Sequence, residues 1–164
     1  IGLLILLPAW QGLVLLKQWP LGNTLIIAVM ILVWGADIGA YFAGRAFGKR
    51  KLAPHVSPGK SWEGVLGGLL TCLLIALGVG LYRHWSGQEL LVALLATAAL
   101  VMVSVLGDLA ESLFKREAGI KDSSNLLPGH GGILDRIDSL TAAVPMFALL
   151  LLFVLDWSAS WGSW

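Results

Sequence analysis

Residues 62–82 read WEGVLGGLLTCLLIALGVGLY, and this stretch decides the fold class of the chain. It is almost entirely apolar and has the length of about 20 residues that an α-helix needs to cross the hydrocarbon core of a bilayer. Other apolar runs lie on both sides of it. The 164 residues have a mean hydropathy of +0.83, and 13% of them are charged. The sequence therefore predicts an all-α fold, a polytopic bundle of membrane helices.

About five apolar segments are predicted to be transmembrane. They are residues 1–16, 23–47, 62–82, 89–113 and 140–155. The first is short for a span and the chain begins without a methionine, so we expect this segment to be the end of a truncated helix. No internal repeat, low-complexity segment or linker interrupts the chain. We therefore expect residues 1–164 to form a single membrane domain.

The basic residues indicate the orientation of the bundle. Nine of the eleven lie in the loops after the second and fourth spans, and only Lys17 and Arg83 lie elsewhere. Alternate loops share one side of a membrane, and the positive-inside rule places the basic side in the cytoplasm. We expect an integral protein of the cytoplasmic (inner) membrane with two polar cytoplasmic loops. The net charge of +1 does not indicate nucleic-acid binding, and the single cysteine, Cys72, excludes internal disulfides.

Charge is concentrated in residues 107–139, GDLAESLFKREAGIKDSSNLLPGHGGILDRIDS, which contain six of the ten acidic residues. Asp108, Glu111, Ser112 and Lys115 are spaced i, i+3, i+4 and i+7, which places them on one helical stripe. Two carboxylates at a membrane boundary repel each other unless a cation joins them. The stripe therefore predicts metal ligands. The alternative is a solvated helix end with a Glu111–Lys115 pair.

The end of this stretch, PGHGGILDRIDS at residues 128–139, combines a glycine-rich turn with acidic residues. Backbone N–H groups in such a turn can approach an anion, and a helix that starts just after it adds further amides. Asp135, Asp138 and Ser139 would share one face of that helix. The pattern predicts phosphates in the turn, with His130 as a hydrogen-bond donor, and a divalent metal on the aspartates.

Residues 57–63, SPGKSWE, are a second candidate for anion binding. They offer Lys60 and the hydroxyls of Ser57 and Ser61 at the start of a helix. They do not form a Walker A loop, because its first glycine is missing. The alternative is that Lys60 is an ordinary lysine of a cytoplasmic loop.

Asp37 is the only acidic residue in the middle of its predicted span, and such residues are functional by default. Tyr41 and Arg45 follow one and two turns later on the same face. The three residues predict either a lipid site or a structural polar cluster in which Asp37 pairs with Arg45.

These motifs together resemble the phosphatidate cytidylyltransferases, also called CDP-diacylglycerol synthases. Two stretches, DIGAYFAGR from Asp37 and LAPHVSPGKSWEG from Leu52, are family-like. Ile38 and His55 depart from the pattern, since a small hydroxyl residue and a lysine are usual there, and His55 weakens a phosphate contact. The family's C-terminal signature is matched at Ser112, Lys115, Arg116, Lys121, Asp122, Pro128, His130, Gly131, Gly132, Asp135, Arg136 and Asp138.

The resemblance implies a bacterial enzyme, truncated at its N-terminus, that converts CTP and phosphatidate to CDP-diacylglycerol and pyrophosphate with Mg²⁺. One or two divalent ions are expected, with a monovalent cation as a further option. The implied partners are CTP, phosphatidate and the lipid bilayer, without nucleic acid and with a homodimer as an option. The implied catalytic residues are Asp108, Lys121, Asp122, Asp135 and Asp138, and the implied metal ligands are Asp108, Glu111, Asp135 and Asp138. The implied CTP and phosphate ligands are Ser57, Lys60, Ser61, Ser112, Lys115, Arg116, His130, Gly131, Gly132 and Arg136.

Three other functions were compared with this one. A CTP-dependent lipid kinase of the dolichol kinase type would need a general base for its alcohol acceptor, and the sequence offers no clear one. A transporter with intramembrane carboxylates would rest on Asp37 alone. A CDP-alcohol phosphotransferase would need the acidic motif DGxxAR, which is missing.

Overall fold

The computed structural model describes residues 2–54, 56–117 and 134–161, with side chains described for 6–54, 56–114, 116–117 and 139–153. The described chain is helical apart from one small hairpin, which agrees with the predicted fold class. Its elements in order are α1 (Gly2–Gln18), α2 (Gly22–Phe47), β1 (Lys51–Ala53), β2 (Ser57–Ser61), α3 (Trp62–Tyr82), α4 (Gly87–Glu117) and α5 (Leu134–Trp161).

Three described helices are long and apolar enough to cross a membrane, namely residues 22–47, 62–82 and 87–114. The chain is a polytopic helical membrane protein. Helix α1 has 17 residues, and the described apolar part of α5 is Ser139–Phe153. Both are shorter than the roughly 20 residues of a full span. The predicted number of five spans therefore stays a prediction.

Helices α2 and α3 pack closely along a line of small residues. A Cβ added at Gly39 would lie 2.8 Å from the carbonyl oxygen of Gly67, and one added at Gly67 would lie 2.9 Å from that of Gly39. Such distances leave no room for a side chain, so glycine permits the backbones to approach each other. We call Gly35, Gly39, Ala43, Gly67 and Thr71 the α2–α3 seam. The small residues of α2 in this seam therefore pack against a helix of the same chain.

The core joins the remaining helices to this pair. Its buried residues come from α1, α2, α4 and α5, and they are Leu16, Val29, Val33, Leu100, Ala143, Val144 and Ala148. Cys72 is fully buried on α3, and its thiol donates to the carbonyl of Leu32 at 3.1 Å. The only cysteine of the chain is thus a packed residue, as its apolar surroundings in the sequence predict.

The segment between α2 and α3, predicted as a polar cytoplasmic loop, contains a small hairpin that the sequence did not predict. Strands β1 and β2 form an antiparallel hairpin in which Ala53 pairs with Ser57 and the register shifts towards Lys51. Proline is compatible with an edge strand, where its missing N–H faces away from the ladder. The hairpin is also fixed to α3, since the Glu63 carboxylate accepts from the backbone N–H of Arg50 at 3.2 Å.

Candidate active site

A cavity of about 490 Å³ lies at the end of the bundle where α2 ends and α3 begins. Small and apolar residues such as Ala36, Ala40, Gly64 and Gly68 form much of its wall. Helices α2, α3, α4 and α5 and strand β2 all contribute to it. The polar lining residues are Asp37, Tyr41, Arg45, Lys60, Ser61, Ser104, Asp108 and Ser139.

Lys60 and Asp108 form an ion pair inside this cavity. They are 48 residues apart in the sequence, on β2 and α4, and their side chains are 25% and 24% exposed. The sequence predicted separate roles for them, a phosphate ligand and a metal ligand. The pairing could not be predicted, because it depends on how the hairpin is placed against α4.

Asp37 connects α2 to α5. The hydroxyl of Ser139 lies 3.5 Å from Oδ2 of Asp37, a long hydrogen bond between residues 102 apart in sequence. Ser139 is 8% exposed and directly follows Asp138. The contact thus brings the mid-span carboxylate to the part of α5 that carries the predicted acidic ligands.

Arg45 donates from Nη1 to the hydroxyl of Tyr41 at 3.1 Å. All three residues of the predicted cluster, Asp37, Tyr41 and Arg45, therefore line the cavity. The described contacts join Arg45 to Tyr41 and Asp37 to Ser139, rather than Asp37 to Arg45.

The predicted stripe on α4 divides between the cavity and the packed interior. Asp108 lines the cavity, whereas Glu111 is 5% exposed and lies outside the described lining. The alternative of a solvated helix end is therefore wrong for Glu111. Ser112 is half-buried, and the side chain of Lys115 lies outside the described residues.

The second predicted anion site is partly structural. Ser61 is 4% exposed, and its hydroxyl accepts from the N–H of Gly64 at 3.1 Å, so it is the N-cap of α3 as well as a lining residue. Ser57 lies on β2 outside the described lining. Arg116 donates from Nε to the carbonyl of Val56 at 3.4 Å, which ties the end of α4 to the hairpin.

Several predicted residues lie outside the described part of the chain. They are His55, Lys121, Asp122, Pro128, His130, Gly131 and Gly132. The described part of α5 begins at Leu134, but the residues just before it and the side chains of Asp135, Arg136 and Asp138 are not described, so the predicted turn and helix start stay predictions. Their roles stay predictions.

Ser104 is a lining residue that the sequence analysis missed. It is 6% exposed and lies on α4, four residues before Asp108. Residues at i and i+4 share one face of a helix. That spacing was the available signal, since Ser104 extends the predicted stripe of Asp108, Glu111, Ser112 and Lys115 by one turn towards the N-terminus.

Comparison with known proteins agrees with these motifs. The profile of the cytidylyltransferase family matches residues 1–154. The chain belongs to this family. It is 74% identical over 162 residues to the phosphatidate cytidylyltransferase of Pseudomonas aeruginosa. The aligned region covers 99% of this chain and 58% of that protein. It is 60% identical over 140 residues to the phosphatidate cytidylyltransferase of Haemophilus influenzae, covering 82% of this chain and 48% of that protein.

This cytidylyltransferase chain spans about half the length of the curated relatives that it matches. One solved structure, described as an intramembrane enzyme for archaeal membrane lipids biosynthesis, aligns with a TM-score of 0.46 and 19% identity, covering 79% of this chain and 92% of that chain. A likeness at that level carries no argument. The predicted family is confirmed by the sequence relatives.

The donor set of the cavity was compared with what a divalent metal requires. Among the residues whose side chains are described, which leave out Asp135 and Asp138, no group of three or more His, Cys, Asp or Glu side chains is close enough to hold a metal by itself. Asp37 and Asp108 nevertheless line one cavity together with the hydroxyls of Ser104 and Ser139. Carboxylate and hydroxyl oxygens are the ligands that Mg²⁺ prefers, and it commonly completes its shell with water and substrate phosphates. The described residues therefore fit a hard divalent cation in donor type.

Proposed function

We propose that this chain carries the catalytic part of a phosphatidate cytidylyltransferase, which converts CTP and phosphatidate to CDP-diacylglycerol and pyrophosphate. The observation that carries the proposal is the cavity at the polar end of the membrane helices. It gathers Asp37, Arg45, Lys60 and Asp108 from three separate segments of the chain. Two carboxylates and two cations in a cavity bounded by membrane helices suit a polar, phosphate-bearing substrate that meets a lipid.

The chemistry requires no general base. The acceptor is a phosphate monoester, and its second pKa of about 6 leaves it largely ionised at neutral pH. One of its oxygens attacks the α-phosphorus of CTP, the bond from that phosphorus to the bridging oxygen of the β-phosphate breaks, and pyrophosphate leaves with the electron pair. The protein must bring two anions together and stabilise the leaving group.

Electrostatics is therefore the main task of the site. Two like unit charges about 4 Å apart repel by about 4 kcal/mol at an effective dielectric constant of 20. Lys60 and Arg45 line the cavity and supply two positive charges against this repulsion. In this proposal Lys60 contacts the phosphates of CTP, while Arg45 and Tyr41 bind the phosphate group of the lipid.

Mg²⁺ is the expected cofactor. Asp108 and Asp37 would hold it among the described residues, with Asp135 and Asp138 of α5 as further candidates. When bound, the ion would neutralise negative charge on the α-phosphate and on the leaving pyrophosphate. The carboxylates would orient the nucleotide through this ion, and the buried residues Ser104 and Ser139 would offer it hydroxyl oxygens.

We further propose that the cavity faces the cytoplasm, where CTP is found, and that the protein resides in the inner membrane. The end of the bundle that holds the cavity also bears Arg45, Lys49, Arg50, Lys51 and Lys60. This concentration of basic residues supports the cytoplasmic orientation. A homodimer stays a prediction.

The experiment that tests the reaction follows CTP labelled separately at the α- and γ-phosphate, with phosphatidate, dolichol and Mg²⁺ in detergent micelles. We expect the α-label to enter the lipid phase in a Mg²⁺-dependent manner and only with phosphatidate. Transfer of the γ-label would instead identify a lipid kinase. The proposal would be contradicted if neither label entered the lipid phase. That test requires a folded protein extended to the full length of its relatives.

A further inference from the structure

The Lys60–Asp108 ion pair raises a question that the proposed function leaves open. In the proposed function Asp108 binds a cation and Lys60 binds the phosphates of CTP, yet in the structure the two residues bind each other. An ammonium group and a divalent cation on the same carboxylate repel each other, so the two compete for Asp108. Binding of a cation at Asp108 would therefore weaken its contact with Lys60.

The described charges of the cavity are balanced. Asp37 and Asp108 contribute two negative charges, and Arg45 and Lys60 contribute two positive ones. A cation entering alone or a nucleotide entering alone would leave unpaired charge in a partly buried cavity, which is unfavourable. A divalent cation that enters with the nucleotide neutralises part of the negative charge of the nucleotide.

The side chain of Lys60 can change partner without movement of the backbone. Its strand is held at its end by the Ser61 cap and by the N–H of Trp62, which donates to the carbonyl of Arg50 at 3.0 Å. A lysine side chain has four flexible carbons and a compact ammonium group. Next to it, no described atom lies within 4 Å of a Cβ added at Gly59, and Gly59 lines the same cavity. The side chain of Lys60 is itself 25% exposed, so the described residues do not enclose it fully.

We propose that Lys60 is an exchangeable counter-charge of Asp108. In the free protein its ammonium group occupies the carboxylate, and a divalent cation displaces it when the nucleotide enters. The released ammonium then binds a phosphate of that nucleotide. This inference rests on the proposed function, because it takes the cation site at Asp108 from it. Beyond the proposed function, we infer that Lys60 weakens cation binding in the free protein and strengthens binding of the metal–nucleotide complex.

The test measures two affinities with the purified protein in detergent, after removal of metals. The first is the affinity for Mn²⁺ alone, from the electron paramagnetic resonance signal of free Mn²⁺. The second is the affinity for α,β-methylene CTP at saturating Mn²⁺, from equilibrium dialysis. This analogue cannot react, since a carbon replaces the oxygen that would leave.

For Lys60→Met we expect the two affinities to change in opposite directions. Mn²⁺ alone should bind about tenfold more tightly, which is a usual size for coupling between sites, and the Mn²⁺–analogue complex about tenfold more weakly. Lys51→Met is the matched control, since Lys51 is exposed on β1 outside the described lining, and it should leave both affinities unchanged. Lys60→Arg should retain weak binding of Mn²⁺ alone.

The proposal is overturned if Lys60→Met binds Mn²⁺ alone no more tightly than Lys51→Met does, or if it binds the analogue as tightly as the unmodified protein. General damage to the fold would lower both affinities. Changes in opposite directions therefore distinguish the proposed exchange from misfolding. If Lys60→Met does not fold, Lys60→Gln has to give the same opposite changes. Its result then supports or overturns the proposal.

Failure of the exchange can be told apart from failure of the proposed function. Transfer of the α-label with unchanged Mn²⁺ affinity in Lys60→Met would retain the cytidylyltransferase and reject the exchange. Transfer of the γ-label would reject the cytidylyltransferase, while the Mn²⁺ affinities would still decide the exchange. Asp108→Asn should weaken binding of Mn²⁺ alone, and an unchanged affinity in that variant would reject the cation site itself.

Discussion

The α2–α3 seam and the cavity lie on neighbouring faces of the same two helices, and small residues line both. On the seam, a Cβ at Gly39 would meet the backbone of Gly67 at 2.8 Å. On the cavity side, a Cβ at Gly44 would meet the hydroxyl of Ser61 at 3.2 Å and Cα of Gly64 at 3.7 Å. A Cβ at Gly39 would therefore overlap the backbone of α3, whereas one at Gly44 would be close to its neighbours without overlap. Composition alone does not distinguish these two uses.

The difference between the two faces lies in charge. No charged residue belongs to the seam as defined above, whereas the cavity contains Asp37, Arg45, Lys60 and Asp108. Charged groups inside a membrane protein need partners or water, and their presence marks a functional face. The comparison therefore predicts that substitutions on the cavity side impair activity, whereas substitutions on the seam impair stability.

The largest effect is expected for Asp108→Asn, which changes the cavity and leaves the seam intact. The amide cannot balance Lys60 or hold a cation, and we expect turnover to fall by about 10²–10³-fold, as when one stabilising polar group is removed from an active site. The rate of α-label transfer gives this value. Glu117→Gln is the control, because Glu117 is exposed on the same helix, and its rate should not change. Equal rates in the two variants would contradict a catalytic cavity.

A smaller effect is expected for Gly39→Ala on the seam. The added methyl group would force α2 and α3 apart, and overpacking of this kind costs about 1–3 kcal/mol of stability. Thermal unfolding in detergent, followed by tryptophan fluorescence, would detect a lower Tm. No described atom lies within 4 Å of a Cβ at Gly78, so Gly78→Ala on α3 should not lower the Tm. If both variants unfold at the same temperature, the seam is not the closed face described above.

The smallest effect is expected at Ser61, which caps α3 and also lines the cavity. Loss of the N-cap in Ser61→Ala should destabilise the protein by about 1 kcal/mol, whereas Ser61→Thr retains the hydroxyl and most of the stability. The Tm and the KM for CTP should be measured together. A lower Tm with unchanged KM would make Ser61 a structural cap. A higher KM with unchanged Tm would restore its predicted role as a phosphate ligand.

Much of the fold could be predicted from the sequence. The span predicted at residues 62–82 coincides with α3, and the span predicted at residues 23–47 nearly coincides with α2. Both predictions use a local property, the length of apolar runs. The hairpin was missed, because β1 has only three residues and its pairing is fixed by contacts with α3 rather than by propensity.

The candidate site was predicted as a set of residues but not as an arrangement. Asp37, Lys60 and Asp108 were each predicted to be site residues, because a charged residue near or within a membrane is costly and is usually functional. Their contacts join segments 48 and 102 residues apart in sequence. No periodicity extends over such separations, so neither the Lys60–Asp108 pair nor the contact of Asp37 with Ser139 could be predicted.

By itself the sequence determined that this is a helical membrane protein of the cytidylyltransferase family, because apolar length and polar motifs are local properties of the chain. Only the tertiary structure decided which small residues close the α2–α3 seam and which leave a cavity, and that Lys60 neutralises Asp108 in the free protein. These features depend on the relative placement of helices and hairpin. That placement follows from the packing of the whole bundle and from the need to pair charges away from water.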